Sequence, residues 1–167
     1  MRTKTKDGKK QSQFLFYFMS CWLILLFLIA ILAPVLAPND PYKTNILKQL
    51  SPAGQNYPLG TDELGRCILS RILYGARTSL FASFIVVIVV FIIGSALGIL
   101  AGYFGGWVDA LLNRITTIFQ AFPRMILAIA VAGVLGIGIE NTVLALSGVY
   151  WTEYARLSRS MVISLKE

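Results

Sequence analysis

Histidine is absent from this chain, which excludes any site built on imidazole, whether a general base or a metal ligand. Charge is also scarce: 14% of residues are Asp, Glu, Lys or Arg, against about a quarter in an average soluble domain. Only two cysteines occur, Cys21 within an apolar run and Cys67 in a polar stretch. A bridge would have to join a lipid-buried sulfur to a loop sulfur, so both thiols are expected to be free. Eight acidic residues face fifteen basic ones, for a formal charge of +7 and a pI of about 9.7. In a soluble protein that balance would suggest nucleic acid as a partner. Here, however, Arg2, Lys4, Lys6, Lys9 and Lys10 crowd the N-terminus just before an uncharged stretch. They read as an inner-surface anchor on anionic membrane lipid, with no nucleic-acid role.

What the chain does have is long apolar runs. Hydrophobic residues make up 56% of it and the mean hydropathy is +0.70. The fold class expected is an all-α polytopic membrane protein. A basic tail, 1–13, leads into a first transmembrane helix, 14–37, which is 24 residues without a charge and long enough for a hydrocarbon core of about 30 Å. A cleaved signal peptide is the competing reading, but the run is long and Pro38 follows the best small-residue site at Ala37. Residues 38–77 form a polar outer connection. Its last part carries Leu64, Ile68, Leu69, Ile72 and Leu73 at helical spacing, which predicts a helix lying on the membrane surface. Residues 78–108 are again free of charge. About four spans are expected in all, the later ones near 78–102, 111–135 and 141–157. Counting basic residues gives nine on the inner side and five on the outer, which puts the N-terminus in the cytoplasm. A thiol reagent confined to the outer face is then expected to reach Cys67 but neither Cys21 nor a thiol introduced at Lys6.

Few side chains suggest chemistry. Gly60 to Gly65 reads GTDELG, the glycine spacing of a phosphate loop, but Arg66-Cys67 stands where Lys and Ser or Thr are needed, so no nucleotide is expected here. Gly94, Gly98 and Gly102 share one face of the second span and form a candidate helix-packing seam, within the chain or between subunits; glycine is also simply frequent in membrane helices. Arg124 follows Pro123 inside an apolar stretch. It is either a translocation-path or interface residue, or the first residue after a helix break, snorkelling or paired with Glu140 or Glu153. Asp109 and Arg114 read as solvated helix ends. There is no zinc motif, nucleophile-base pair or carboxylate dyad, so the protein is not expected to be an enzyme or to hold a cofactor or metal.

The segment LGTDELGRCILSRILYGARTSL, starting at Leu59, resembles the hallmark of the second permease in dipeptide-, oligopeptide- and nickel-type ABC importers. The motif positions carried over are Leu59, Gly60, Thr61, Asp62, Gly65, Arg66, Ser70, Arg71, Gly75, Ala76 and Arg77. LGILAGYFGGWVD at 97–109, Phe122-Pro123, LGIG at 135–138, Asn141 and the Trp151 to Arg156 motif W-x-x-YAR follow in the family's order. Three positions depart from it: Cys67 and Thr117 stand where Asp is usual, and Arg124 where the residue is small or apolar. The resemblance implies the front part of a six-span ABC importer transmembrane domain in the cytoplasmic membrane. Its partners would be a second permease subunit, two ATPase subunits that carry ATP and Mg, and an extracytoplasmic solute-binding protein. Peptides are the first expectation for the solute, nickel or a nickel chelate the second. Family members continue past SLKE into an E-A-A-like coupling helix and two more spans, so a truncated chain is expected. The rival is a stand-alone small membrane protein, a pore-former or helix-packing accessory subunit without ATP coupling.

Overall fold

The computed structural model describes the backbone of residues 4–166 and the side chains of residues 13–166. Arg2, the side chains of Lys4, Lys6, Lys9 and Lys10, and Glu167 lie outside it. The described residues form five α-helices and a single 3-10 turn, Ile46–Lys48, with two isolated bridges and no strand. The helices are α1 (Lys4–Leu36), α2 (Ile68–Phe104), α3 (Gly106–Ala121), α4 (Arg124–Leu135) and α5 (Ile139–Lys166). Two units divide the chain, Met1–Leu80 and Phe81–Glu167, and each is taken by itself.

In the first unit, α1 ends at Leu36, one residue before the Ala37-Pro38 step, where proline disfavours the helical conformation of its predecessor. Its large apolar side chains, Phe14 through Leu36, are almost all exposed, as hydrocarbon-facing groups are and as a water-facing helix could not sustain. Residues 38–67 fold as an irregular, hydrogen-bonded loop. The surface helix expected before residue 78 is not a separate element. No glycine or proline interrupts the chain between Arg77 and Phe81, and one helix of 37 residues runs through the whole region. At 1.5 Å per residue it is about 55 Å long, well over the roughly 30 Å of a hydrocarbon core.

In the second unit, α2 ends at a glycine pair. Gly105 has φ +64°, open to glycine and strained for other residues, and its N–H caps the Ala101 carbonyl at 2.9 Å before α3 begins. The single helix expected over 111–135 is broken instead. Phe122, held extended before Pro123 (φ −99°, ψ 144°), separates α3 from α4, and the two are bent by 87°. Two helices are long and apolar enough to cross a membrane, residues 13–36 and Ile68–Phe104, or three if the bent pair is one span. The region expected as a fourth span lies on α5, which carries Glu140, Glu153, Arg156 and Arg159 and is too polar to qualify by composition. The interior is built of small residues. Ala101, Leu112 and Ala155 are buried together against Trp151, and Ala128, Ala145 and Val149 are buried on α4 and α5. Such residues let helix backbones come close where lipid removes the hydrophobic drive.

Candidate functional site

The motif at 59–77 condenses into one folded loop centred on Asp62. Its Oδ1 accepts the amides of Leu64 (3.0 Å) and Arg66 (2.9 Å), closing an Asx turn over the next residues. Its Oδ2 accepts the Arg66 guanidinium through Nε at 2.8 Å and Nη2 at 2.8 Å, and Arg71 Nη1 joins the same oxygen. Desolvation pushes this carboxyl up, but the hydrogen bonds from Arg66 and Leu64 outweigh it and bring its pKa from 3.8 to about 2. Thr61 is buried. Its Oγ1 accepts the Ser51 amide at 2.8 Å and donates to the Lys48 carbonyl, tying the segment back to the 3-10 turn. Gly65 has φ +72°, and a Cβ there would lie 1.8 Å from the Asn45 carbonyl oxygen, so neither the conformation nor the space admits a side chain. Ser70, fully buried, accepts the Asn39 amide at 3.1 Å and fixes the start of α2 to the end of the first span.

Gly60 belongs to the same loop, with φ +76°, its carbonyl accepting the Ile68 amide at 3.2 Å and a Cβ there 2.6 Å from the Ser51 carbonyl oxygen, whereas Leu59, Gly75 and Arg77 are not drawn into the hub. Leu59 is exposed, and a Cβ on Gly75 would meet nothing within 4 Å. Arg77 forms no ion pair among the described residues. Cys67 corrects an expectation: only 1% exposed, it is not a solvent-facing loop thiol. Burial pushes that thiol up, yet hydrogen bonds from Ser70 and Asn39 hold it below the ordinary value. Both cysteines are free.

In the second unit, the three glycines face α5. A Cβ at Gly94 would lie 2.5 Å from the Trp151 carbonyl oxygen, one at Gly98 2.2 Å from that of Ala155, and one at Gly102 2.9 Å from Val162 Cβ. Asp109 is not a plain solvated end. Arg159, fifty residues on, grips both its oxygens, Nη2 to Oδ2 at 2.6 Å and Nε to Oδ1. The sequence carries no signal for this pairing beyond opposite charge. Close by in the chain, Lys166 Nζ donates to the Tyr103 carbonyl at 2.6 Å, tying the end of α5 to the end of α2. Arg124, first residue of α4, pairs with Glu153 rather than Glu140, directly after the break at Pro123. Among the described residues, no group of three or more His, Cys, Asp or Glu side chains could hold a metal ion.

The comparisons match both ends of this architecture. Residues 94–167 match the family described as binding-protein-dependent transport system inner membrane component. Residues 15–53 match the N-terminal TM domain of oligopeptide transport permease C. The chain is 44% identical over 140 residues to the dipeptide transport system permease protein of Alkalihalophilus pseudofirmus, covering 84% of this chain and 46% of the relative. This chain belongs to the peptide- and nickel-type ABC importer permease family. Other relatives are the nickel transport system permease protein of Escherichia coli, 39% identical over 146 residues (87% of this chain, 52% of the relative), and the glutathione transport system permease protein of Pectobacterium atrosepticum, 40% identical over 148 residues (87% and 49%). The chain thus spans about half the length of the curated relatives it matches. Within this permease family member, the two matched segments bracket the Asp62 loop and contain the Asp109–Arg159 and Arg124–Glu153 pairs.

Proposed function

We propose that this chain is a transmembrane permease subunit of an ABC importer that moves peptides, or nickel or its chelate, across the cytoplasmic membrane. ATP and Mg would be held by two partner ATPase subunits, a second permease would complete the pore, and an extracytoplasmic solute-binding protein would deliver the solute. The observation that carries the reading is the pair of family matches at 15–53 and 94–167, in relatives whose names specify dipeptide, nickel and glutathione transport. The proposed topology is a cytoplasmic N-terminus and four spans of a six-span domain. It uses α1, α2, the bent α3–α4 pair and α5 in turn, and places the Asp62 loop outside. In that arrangement α5 is the most polar of the spans, with Glu140, Glu153 and Arg156 exposed on it, and its charges call for cover from helices of the wider transporter rather than from lipid. No step of chemistry falls to this chain. Its part is to present alternate openings as the ATPases close and separate.

Deleting the encoding gene from its host and following labelled dipeptide, tripeptide and nickel uptake tests the reading. Loss of one of these activities, restored by the gene in trans and accompanied by co-purification of an ATPase pair with the tagged chain, is the expected result. Unchanged uptake of all three solutes rejects it.

A further inference from the structure

A hollow of about 390 Å³ opens where the end of α3, the start of α4 and the middle of α5 meet, lined by Gln120, Arg124, Glu153, Arg156, Leu157 and Ser160. Five of these six side chains are polar or charged. Two cations face one carboxylate. Arg124 is paired with Glu153, which leaves the Arg156 guanidinium with no hydrogen bond or ion pair among the described residues, and Gln120 is equally unengaged.

The position of this hollow matters. Arg156 and Glu153 precede Arg159, which Asp109 clamps, by three and six residues, or about 4.5 and 9 Å along α5. They therefore sit one to two turns deeper along α5 than the clamp. An unpaired guanidinium in a membrane-spanning region is costly, so it calls for an anion. The planar fork of Arg fits a carboxylate through two parallel hydrogen bonds. Glu153 lies three residues away on the same helix, where side chains are neighbours about 5–6 Å apart at Cβ. An extended dipeptide spans about 7 Å from end to end, which matches that separation once side-chain length is included. The hollow is also within the volume range of small-molecule sites, about 300–1,000 Å³.

We propose that this hollow is a transient site for a small zwitterionic solute, whose carboxylate is received by Arg156 and whose ammonium group displaces Arg124 from Glu153. The site deepens the permease reading and rests on it. The exchange replaces one ion pair with two and moves the unpaired guanidinium from Arg156 to Arg124, so the empty and loaded states carry the same number of uncompensated charges. On release Arg124 returns to Glu153. The site then favours passage over retention, because the empty state has its own salt bridge to regain.

The test uses the purified full chain in nanodiscs of phosphatidylcholine and, separately, of phosphatidylglycerol, with L-alanyl-L-alanine and its C-terminal amide as probes, read by saturation-transfer NMR and calorimetry. Dialanine is expected to bind in both lipids and the amide at least tenfold more weakly. Arg156→Gln should weaken dialanine at least tenfold, with partial recovery in Arg156→Lys. Arg114→Gln, which lies outside the hollow, should bind as the parent does. Thermal unfolding of each variant identifies any loss through misfolding, and the amide comparison on the parent chain needs no variant. Equal binding of amide and acid, parent-like binding by a folded Arg156→Gln, or no dialanine binding in either lipid overturns the assignment. So does phosphatidylglycerol held by the parent and released by Arg156→Gln while dialanine does not compete, which would make the hollow a lipid headgroup site. Uptake in the host separates the two levels. If uptake depends on the gene but Arg156→Gln carries acid and amide as the parent does, only the hollow loses its role. If uptake never depended on the gene, the permease reading itself fails.

Discussion

The close approach of α2 to α5 yields the sharpest prediction. A methyl group at Gly98 would stand 2.2 Å from the Ala155 carbonyl oxygen and 3.0 Å from its Cα, whereas ordinary contact begins near 3.4 Å. The obstacle is backbone, which cannot turn aside as a side chain can, so the two helices must part by about 1 Å. Overpacking of this kind costs about 1–3 kcal/mol, and the rigidity of both surfaces places Gly98→Ala in the upper half of that range. The same substitution at Gly148, on α5 itself, meets nothing within 4 Å and should stabilise by up to about 1 kcal/mol, since alanine loses less backbone freedom in a helix than glycine does. Reversible unfolding in mixed micelles titrated with sodium dodecyl sulfate measures both variants against the parent. The expected gap between them is about 3 kcal/mol, with opposite signs. If Gly98→Ala proves as stable as Gly148→Ala, the helices do not touch at this seam and the reasoning is wrong.

Three further outcomes follow from the ion pairs and the loop. Asp62 is held at a pKa of about 2, below its ordinary 3.8. Its contribution to loop stability is therefore complete above about pH 5 and disappears as the pH falls through 3.8 towards 2. Protection of the Leu64 and Arg66 amides from hydrogen exchange, taken relative to the intrinsic rate at each pH, should fall over that window, and Asp62→Asn, which keeps the acceptor for those amides but frees both arginines, should lose that dependence. Asp109→Asn removes the charge gripped by Arg159 and should destabilise the second unit by about 1.5–3 kcal/mol, the range for hydrogen bonds to charged groups; a double-mutant cycle with Arg159→Gln should recover coupling, and strictly additive losses would refute the pair. Under the proposed topology, a maleimide confined to the outer face should label Leu47→Cys, at a site 97% exposed, much faster than the buried native Cys67. Labelling of a thiol at Lys6 from that face would overturn the orientation.

Membrane character, helical class and family could all be read from the sequence because each rests on local or additive quantities. Charge-free runs measure span length directly, and motif spacing survives without knowledge of tertiary contacts. The separate surface helix before residue 78 misled because a stripe of apolar residues at helical spacing is the same signal for a surface helix and for the first turns of a longer one. Only the absence of a breaker between Arg77 and Phe81 distinguishes them. Pro123 announced a break, but not an 87° bend, since proline removes a hydrogen bond without fixing where the chain goes next.

Other features depended on which residues the fold brings together. The sequence offered two acids for Arg124, and the α4–α5 packing selected Glu153. It presented Asp109 as a helix end, and the end of α5 turned it into one half of a clamp with Arg159. It placed Cys67 in a polar loop, and the Ser70 and Asn39 contacts buried it. Sequence determined this protein's solvent, its helices and its relatives, because hydropathy and periodicity act along the chain. Tertiary structure alone decided which charges compensate one another and which glycines touch a backbone, because those energies depend on distances between residues that are far apart in sequence.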